Sequence, residues 1–547
     1  MRQYGRMLAV LLAALLAVAS LGVSALAEGG DGYVIIGQAS EVANLNPMLY
    51  PRTPDSNVQC LIFDFLVKPD EELNFIPDLA ESWDISEDGK VYTFYLRQDV
   101  KWHDGEAFTA DDVVFTLNAL ANPEYIGGNE NRVLGIVGAA EVQAGEAETI
   151  SGVKKVDDYT VEITLPDANA AFMADMYTAI LPEHVLAGEN PGEWSTDDFN
   201  RAPVGTGKYK FVEWKSGQYI MLERNEDYFG DKPSIKDVVV QFGSETTLVA
   251  ALLNNEIDVL YNLPTAEVEN VEAVDSVYVY TNEQMTVYYI GFNLLDETLS
   301  DLRVRQALAH GLDKQTVLDT VYGNGLAYVA NDIFPSNHWS HSENVTVYEY
   351  NPENAKSLLE EAGYVMNEST GIYEKDGKPL HLVYDMSASA TGEAMATLFQ
   401  QQWKEIGVEL EIVTQDFATL AFTKLLPDSG AKETTADSYQ MYTLGFGVEV
   451  DPNEYNEYFS TNTGAGSWNF GHYSNPEVDE LFKLQLTQTD PEERAATFHK
   501  IGEIESNDLY WIPTYSNYLT TGVSTRVKDF IADYRGVTFQ IEKWNVD

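Results

Sequence analysis

The chain has 547 residues and a formal net charge of −54, from 33 basic and 87 acidic side chains. This negative balance opposes binding to nucleic acid or to anionic lipid, because both would be repelled. The length exceeds what one hydrophobic core usually supports, so we expect a large protein with several lobes. We attribute the acidity to solubility outside the cytoplasm rather than to a preference for cationic ligands.

The first 27 residues predict a signal peptide. Arg2 and Arg6 give a basic start, an apolar stretch follows, and the segment ends in Ala-Leu-Ala at Ala27. The apolar stretch is shorter than the roughly 20 residues that a membrane-spanning helix needs. The single cysteine, Cys60, lies far from this site. We therefore expect an exported chain, periplasmic or extracellular, that is soluble after cleavage and has no cysteine for lipid attachment.

The segment 77–117 carries several local signals that agree on one unit. Alternating apolar residues predict two short strands, and Asp88 and Gly89 between them tolerate the positive φ of a tight turn. Thr109 then stands at the expected N-cap of a helix, with Asp112 three residues on as its capping-box partner. The segment predicts a β-hairpin followed by a helix.

The rest of the chain alternates strand and helix patterns, which indicates an α/β fold. An apolar run predicts a buried first strand at 33–42, and a helix is expected at 57–67 after a proline-containing loop. Later helices have recognisable starts, with Asp301 as an N-cap and proline at the first position of three others. Those three prolines are Pro352, Pro476 and Pro491.

Long motifs within the chain carry a resemblance to a known family. They read P-x-LAESW, a DGK turn, YTF-x-LR, KW-x-DG and T-A-x-DV-x-F, in that order between residues 77 and 115. The pattern resembles the family 5 extracellular solute-binding proteins, the oligopeptide- and dipeptide-binding subunits of ATP-driven importers. Further matching stretches lie at 204–229, 288–312 and 468–515.

The resemblance implies a two-lobed fold of the type II periplasmic-binding-protein kind, with three domains and hinge strands that join the lobes. Domain I is expected to be discontinuous, and domains II and III to be inserted into it. The expected bounds are 28–57, 203–286 and 520–547 for domain I, 58–202 for domain II and 287–519 for domain III.

The resemblance also points to ligand-binding residues near the start of the chain. In peptide-binding relatives the loop that matches Thr53, Pro54 and Asp55 pairs with the main chain of the bound peptide. An ordinary helix N-cap at Asp55 or Ser56 is an equally good interpretation of this loop. We also include Tyr125 among the candidate binding residues.

A second group of candidates lies in the segment 444–459. It resembles a motif in which an aromatic residue precedes an acid that receives the ammonium group of the peptide, followed by Asp-Pro. Here Phe446 takes the aromatic place, Glu449 takes the acidic place, and Asp451 begins the Asp-Pro pair. Gly447, between Phe446 and Glu449, is also a candidate. Glutamate replaces the aspartate that is usual in the motif, and the spacing from this acid to the Asp-Pro pair is one residue shorter. The alternative for Glu449 is a solvated acid on a loop.

We conclude from the sequence that the chain binds oligopeptides in a cleft and delivers them to a membrane permease of an ABC transporter. We expect no catalysis, no cofactor, no bound metal, no nucleic acid partner and a monomeric state. The alternatives within the same fold are binding of nickel, haem or an oligosaccharide. An alternative of another class is a secreted acidic hydrolase, although the chain lacks H-E-x-x-H and G-x-S-x-G motifs.

Overall fold

We describe the fold from a computed structural model of the chain. The structure describes residues 32–49, 52–323, 325–425, 435, 438–453 and 469–547. The predicted signal peptide lies outside these ranges and stays a prediction. Among the described residues, none of the helices combines the length and the hydrophobicity that crossing a bilayer requires.

The strands and helices are numbered in chain order. The strands are β1 Tyr33–Gln38, β2 Val67–Pro69, β3 Phe75–Pro77, β4 Ala80–Ile85, β5 Val91–Leu96, β6 Val153–Asp157, β7 Thr160–Thr164, β8 Tyr209–Lys215, β9 Tyr219–Arg224, β10 Asp237–Phe242, β11 Val259–Tyr261, β12 Val277–Glu283, β13 Thr286–Phe292, β14 Ala327–Val329, β15 Val365–Asn367, β16 Ile372–Lys375, β17 Lys378–Pro379, β18 His381–Ser387, β19 Glu409–Gln415, β20 Met441–Gly447, β21 Trp511–Ser524, β22 Val527–Lys528 and β23 Asn545–Val546. The helices are α1 Thr53–Ile62, α2 Ala110–Ala121, α3 Asn131–Leu134, α4 Ala139–Gln143, α5 Phe172–Asp175, α6 Glu183–Leu186, α7 Glu245–Leu253, α8 Val268–Glu272, α9 Leu302–His310, α10 Lys314–Val321, α11 Pro352–Glu361, α12 Ala390–Glu405, α13 Pro476–Gln485 and α14 Pro491–Asp508.

The first lobe is built around β1. This strand lies between β10 and β11 and is parallel to both. Val34 and Ile36 pack into one hydrophobic core, and Ile35 packs into another on the opposite face of the sheet. A strand covered on both faces has a continuous apolar sequence, which is why its burial was predictable. It ends at Gln38, four residues before the expected end.

The hairpin and helix predicted in the segment 77–117 are confirmed. β4 and β5 pair in a sheet of order β4-β5-β7-β6, and Gly89 in the turn has φ 69°. The Thr109 side chain accepts a hydrogen bond from the backbone of α2, and Asp112 completes the capping box. This small sheet and α2 share one hydrophobic core with β1 and α1, so they belong to the first lobe.

The second lobe has its own sheet and cores. β13 and β20 pair antiparallel, and β18 lies parallel to both β20 and β19. Helices α9, α11 and α12 bury their apolar faces in the same core, where the Trp403 indole donates to the Leu308 carbonyl at 2.8 Å. Asp301 caps α9 and Pro352 begins α11, as the sequence predicted.

The long strand β21 joins the two lobes. Its first part, Trp511–Tyr515, pairs with β13 of the second lobe, and its last part, Tyr518–Ser524, pairs with β12 of the first. Since β12 runs directly into β13, the chain crosses between the lobes at two adjacent places. The fold is therefore a two-lobed α/β structure whose lobes are connected by crossing strands, as expected.

The first helix differs from its prediction. α1 begins at Thr53 and ends at Ile62, whereas the sequence predicted a helix over 57–67. Arg52 occupies the N-cap position, so the interpretation of Asp55 or Ser56 as the N-cap is wrong. The reason is Pro54, which marked the segment as a loop but is compatible with the first turn of a helix.

Candidate functional site

A cavity of about 460 Å³ lies where the two lobes face each other. One wall belongs to the first lobe and comprises Pro47, Met48, Thr53, Ser56, Asn57, Gln59, Cys60, Phe63, Phe65, Asn129, Arg132, Tyr177, Thr178, Ala179, Tyr261, Tyr534, Arg535 and Gly536. The opposite wall is formed by Met285, Val448, Glu449 and Val450. Cavities of this size are typical of small-molecule binding sites.

Helix α1 presents its first turns to the cavity. Thr53 and Ser56 both line it, and both residues are exposed. One of the sequence-predicted candidates, Thr53, thus lies in the cavity wall. Pro54, its neighbour, does not line the cavity, and its carbonyl accepts a hydrogen bond from the Gln38 side chain at 3.2 Å.

Asp55 lies beneath this surface rather than in it. The residue is fully buried, and its carboxylate pairs with the Arg52 guanidinium at 2.8 Å and accepts from the Ala43 backbone N–H at 2.6 Å. These bonds tie the start of α1 to the chain that leaves β1. The structure therefore gives Asp55 a role in holding the helix that carries Thr53.

The second wall begins where β20 ends. Phe446 packs in the hydrophobic core, whereas its neighbour Gly447 is exposed at the last paired position of the strand. Neither residue lines the cavity. The next three residues do, and the exposed Glu449 is the acid among them. The structure thus brings Thr53 and Glu449, from two distant motifs, to one cavity.

Two further candidates lie outside the cavity wall. The Tyr125 hydroxyl donates to the Met48 carbonyl, and its ring packs edge-on against Trp194. Asp451 is buried and forms a two-point ion pair with Arg494, one of its bonds being 2.8 Å. Both side chains support the cavity from behind, because Met48 lines it and Asp451 directly follows the wall segment.

Arg132 lines the cavity on the wall opposite Glu449, and no sequence motif singled it out. Its Nη1 group donates to the carbonyls of Tyr177 and Ala174 at 2.9 and 3.3 Å. No carboxylate among the described residues lies within ion-pair distance of this guanidinium. The other arginine in the cavity wall, Arg535, forms an ion pair with Asp533. Of these two arginines, Arg132 is therefore the one whose charge a ligand can use. The only available signal was that cations are scarce in this acidic chain.

The charges around the cavity influence one another across the gap between the lobes. The pKa of Asp175 is raised to about 7, chiefly by burial; Arg132 acts to lower this pKa, and Asp451 and Glu449 act to raise it. Burial also raises the pKa of the Cys60 thiol, whose Sγ lies 3.3 Å from the Thr538 hydroxyl. In the described part of the chain, no group of three or more His, Cys, Asp or Glu side chains is placed to hold a metal ion.

Two lobes joined by crossing strands, with a cavity between them, define a two-lobed solute-binding protein. The sequence matches the bacterial extracellular solute-binding proteins, family 5 (middle region), over residues 74–467. The chain belongs to this family.

Its relatives span most of the chain. The oligopeptide-binding protein AppA of Bacillus subtilis is 27% identical over 525 residues, which cover 94% of this chain and 92% of AppA. The structure of AppA in complex with a nonapeptide matches with a TM-score of 0.73, over 94% of this chain and 99% of that chain. Heme-binding protein A of Haemophilus influenzae is 29% identical over 469 residues, covering 83% of this chain and 81% of that protein.

A third similar structure comes from Campylobacter jejuni. It is NikZ in complex with Ni(L-His), with 28% identity and a TM-score of 0.75, over 94% of this chain and 100% of that chain. Proteins similar to this chain therefore bind different ligands on one fold.

Proposed function

We propose that this protein is the substrate-binding component of an ABC importer and captures peptides in the cavity between its lobes. The observation that carries the proposal is the pair of opposite charges on the two walls, Arg132 from the first lobe and Glu449 from the second. A peptide with free ends has both matching charges, a terminal ammonium and a terminal carboxylate. The complex of the similar AppA with a nonapeptide supports the same ligand class.

In this proposal Glu449 receives the terminal ammonium and Arg132 receives a carboxylate of the ligand. Charge-assisted hydrogen bonds of this kind are stronger than neutral ones, and an arginine can bind a carboxylate through two parallel bonds. Because the two groups belong to different lobes, a ligand that contacts both would favour the closed arrangement of the lobes.

The remaining groups suit a ligand that is recognised by its main chain. Thr53 and Ser56 bring hydroxyl groups to one wall, and a hydroxyl can both donate and accept. Peptide N–H and C=O groups are the same in every sequence, so such contacts do not select side chains. We infer that many peptide sequences are accepted, with water filling the space around small side chains.

The cellular setting is part of the proposal. We propose that the chain is exported by the predicted signal peptide, that cleavage follows Ala27, and that the loaded protein docks on a cognate permease. We retain the three domains with the bounds given above, and we propose that the protein catalyses no reaction. Sequencing the N-terminus of secreted protein tests the export step: a start at Glu28 agrees with it, and an intact Met1 contradicts it.

The ligand class can be tested by mass spectrometry of molecules that co-purify with protein from the native host. A mixture of peptides is the expected result. A single nickel chelate, haem or an oligosaccharide would overturn the proposal and favour the corresponding alternative ligand. Turnover of peptides or glycosides by the pure protein would instead favour the hydrolase alternative.

A further inference from the structure

The backbone that carries Glu449 is fixed on its N-terminal side by the end of the central sheet. Gly447 is the last residue of β20 and pairs with Thr286 of β13. The next residue, Val448, still donates its backbone N–H to the Met285 carbonyl at 2.7 Å. Glu449 is therefore the first residue beyond the ordered edge of the sheet, and its position depends on what holds the chain after it.

Two neighbouring side chains from the segment 338–339 hold the chain after Glu449. The Nε2 atom of His338 lies 3.0 Å from the Glu449 carbonyl oxygen. The indole N–H of Trp339 donates to the next carbonyl, that of Val450, at 3.1 Å. Two successive peptide units are thus fixed by side chains that do not themselves line the cavity.

The contacts of His338 determine where its proton lies. Nδ1 lies 2.6 Å from the Ser340 hydroxyl and 3.2 Å from the Ser340 backbone N–H. The hydroxyl can donate or accept, but the backbone N–H can only donate, so we assign Nδ1 as the acceptor and place the ring proton on Nε2. This tautomer is the one that can donate to the Glu449 carbonyl. Burial lowers the pKa of His338 to about 4, so the ring stays neutral near pH 7. The donor is therefore present under the conditions in which binding would occur.

Helix α14 supports the same cluster from the other side. Arg494 forms the buried ion pair with Asp451, and its guanidinium lies 5.4 Å from the centre of the Trp339 ring. The His499 Nε2 atom lies 3.1 Å from the Trp339 carbonyl oxygen. The Trp339 ring is thus packed against α14, and these contacts limit how far the 338–339 segment can move.

We propose that His338 is a positioning residue for ligand binding, which sets the direction of the Glu449 carboxylate by donating to the Glu449 carbonyl. The bond fixes the peptide unit that follows Glu449, while the sheet edge fixes the chain before it. Together they determine where the side chain points in the cavity. The inference rests on the proposed role of Glu449 as the partner of the ligand ammonium.

The test compares two amide variants of His338 by calorimetry with trialanine. In His338→Gln the amide N–H can reach the place of Nε2, whereas in His338→Asn the shorter side chain reaches only the place of Nδ1. Each is combined with Glu449→Gln, and each protein is also titrated with N-acetylated trialanine. We expect His338→Asn to weaken trialanine binding about ten-fold, since that corresponds to the ~1.4 kcal/mol typical of one lost hydrogen bond.

His338→Gln should remain within about three-fold of the wild type, at most about half of the free-energy loss expected for His338→Asn. The loss in His338→Asn should disappear in the Glu449→Gln background and with the acetylated peptide, because the residue acts through that carboxylate. Equal losses in both backgrounds, or equal behaviour of the Gln and Asn variants, would overturn this inference alone. If Glu449→Gln by itself leaves trialanine binding unchanged, the proposed role of Glu449 fails, and this inference fails with it.

Discussion

Replacing Arg132 by glutamine tests the cationic side of the proposed site. The structure places the guanidinium in the cavity wall, with its two bonds to protein carbonyls both made by Nη1. The other nitrogens are therefore the donors that a ligand carboxylate would use. Arg132→Gln removes the charge and these donors but keeps a polar side chain of similar width at the same place in the wall.

The expected loss follows from the surroundings of Arg132. Removing one partner of a buried, hydrogen-bonded charge pair costs roughly 2–5 kcal/mol of binding free energy. Arg132 is only partly buried, so we take the lower end, about 2 kcal/mol, which corresponds to roughly a thirty-fold weaker affinity. A cation that acts only through the general field of the protein would give a much smaller loss that fades with added salt.

Calorimetry with a free peptide and the same peptide amidated at its C-terminus separates these cases. The amidated peptide should bind the wild type more weakly and lose little more in Arg132→Gln, because the carboxylate is already missing. A matched control is Arg201→Gln, since Arg201 is an exposed arginine stacked on Trp214, away from the cavity wall. Equal losses for both peptides, or a loss no larger than in the control, would refute the reasoning.

Three further predictions concern stability and its dependence on pH. Arg494→Met should destabilise the protein by about 3–5 kcal/mol in chemical denaturation, because it leaves the buried Asp451 carboxylate unpaired; an unchanged midpoint would contradict this. Gly205→Ala should strongly reduce the yield of folded protein, since its new methyl group would lie 1.9 Å from the carbonyl oxygen at the end of α1, whereas Gly188→Ala, with open space around it, should fold normally. The raised pKa of Asp175 means that the folded state binds this proton more tightly than the unfolded state. Its contribution to stability is therefore present at low pH and is lost as pH rises from 3.8 to about 7. In Asp175→Asn the melting temperature should therefore fall less steeply with pH over this range than in the wild type. The same pH dependence in both proteins would contradict the burial of this carboxyl group.

The parts of the fold that were predictable are those determined by neighbouring residues. The hairpin of β4 and β5 follows from a glycine at positive φ, and the start of α2 follows from the capping box of Thr109 and Asp112. The buried β1 follows from an uninterrupted apolar run. In each case the signal and its consequence lie within a few residues, so no knowledge of tertiary contacts was needed.

The site was predicted less completely because it depends on residues that are far apart in sequence. Glu449 and Thr53 were expected from motifs, and both line the cavity. Arg132 lies in no such motif, and it became a candidate only because the fold places it in the cavity wall that faces the second lobe. Asp451 resembled a ligand-binding acid, but its partner Arg494 is 43 residues away and becomes visible only in the folded chain.

The most direct test of the central claim is a crystal structure of the protein with a peptide that saturates it in solution. We expect electron density for the peptide in the cavity between α1 and the segment 448–450, with its ammonium group at Glu449 and a carboxylate at Arg132. Peptide density at another place, or an empty cavity in crystals grown with the saturating peptide, would contradict the account.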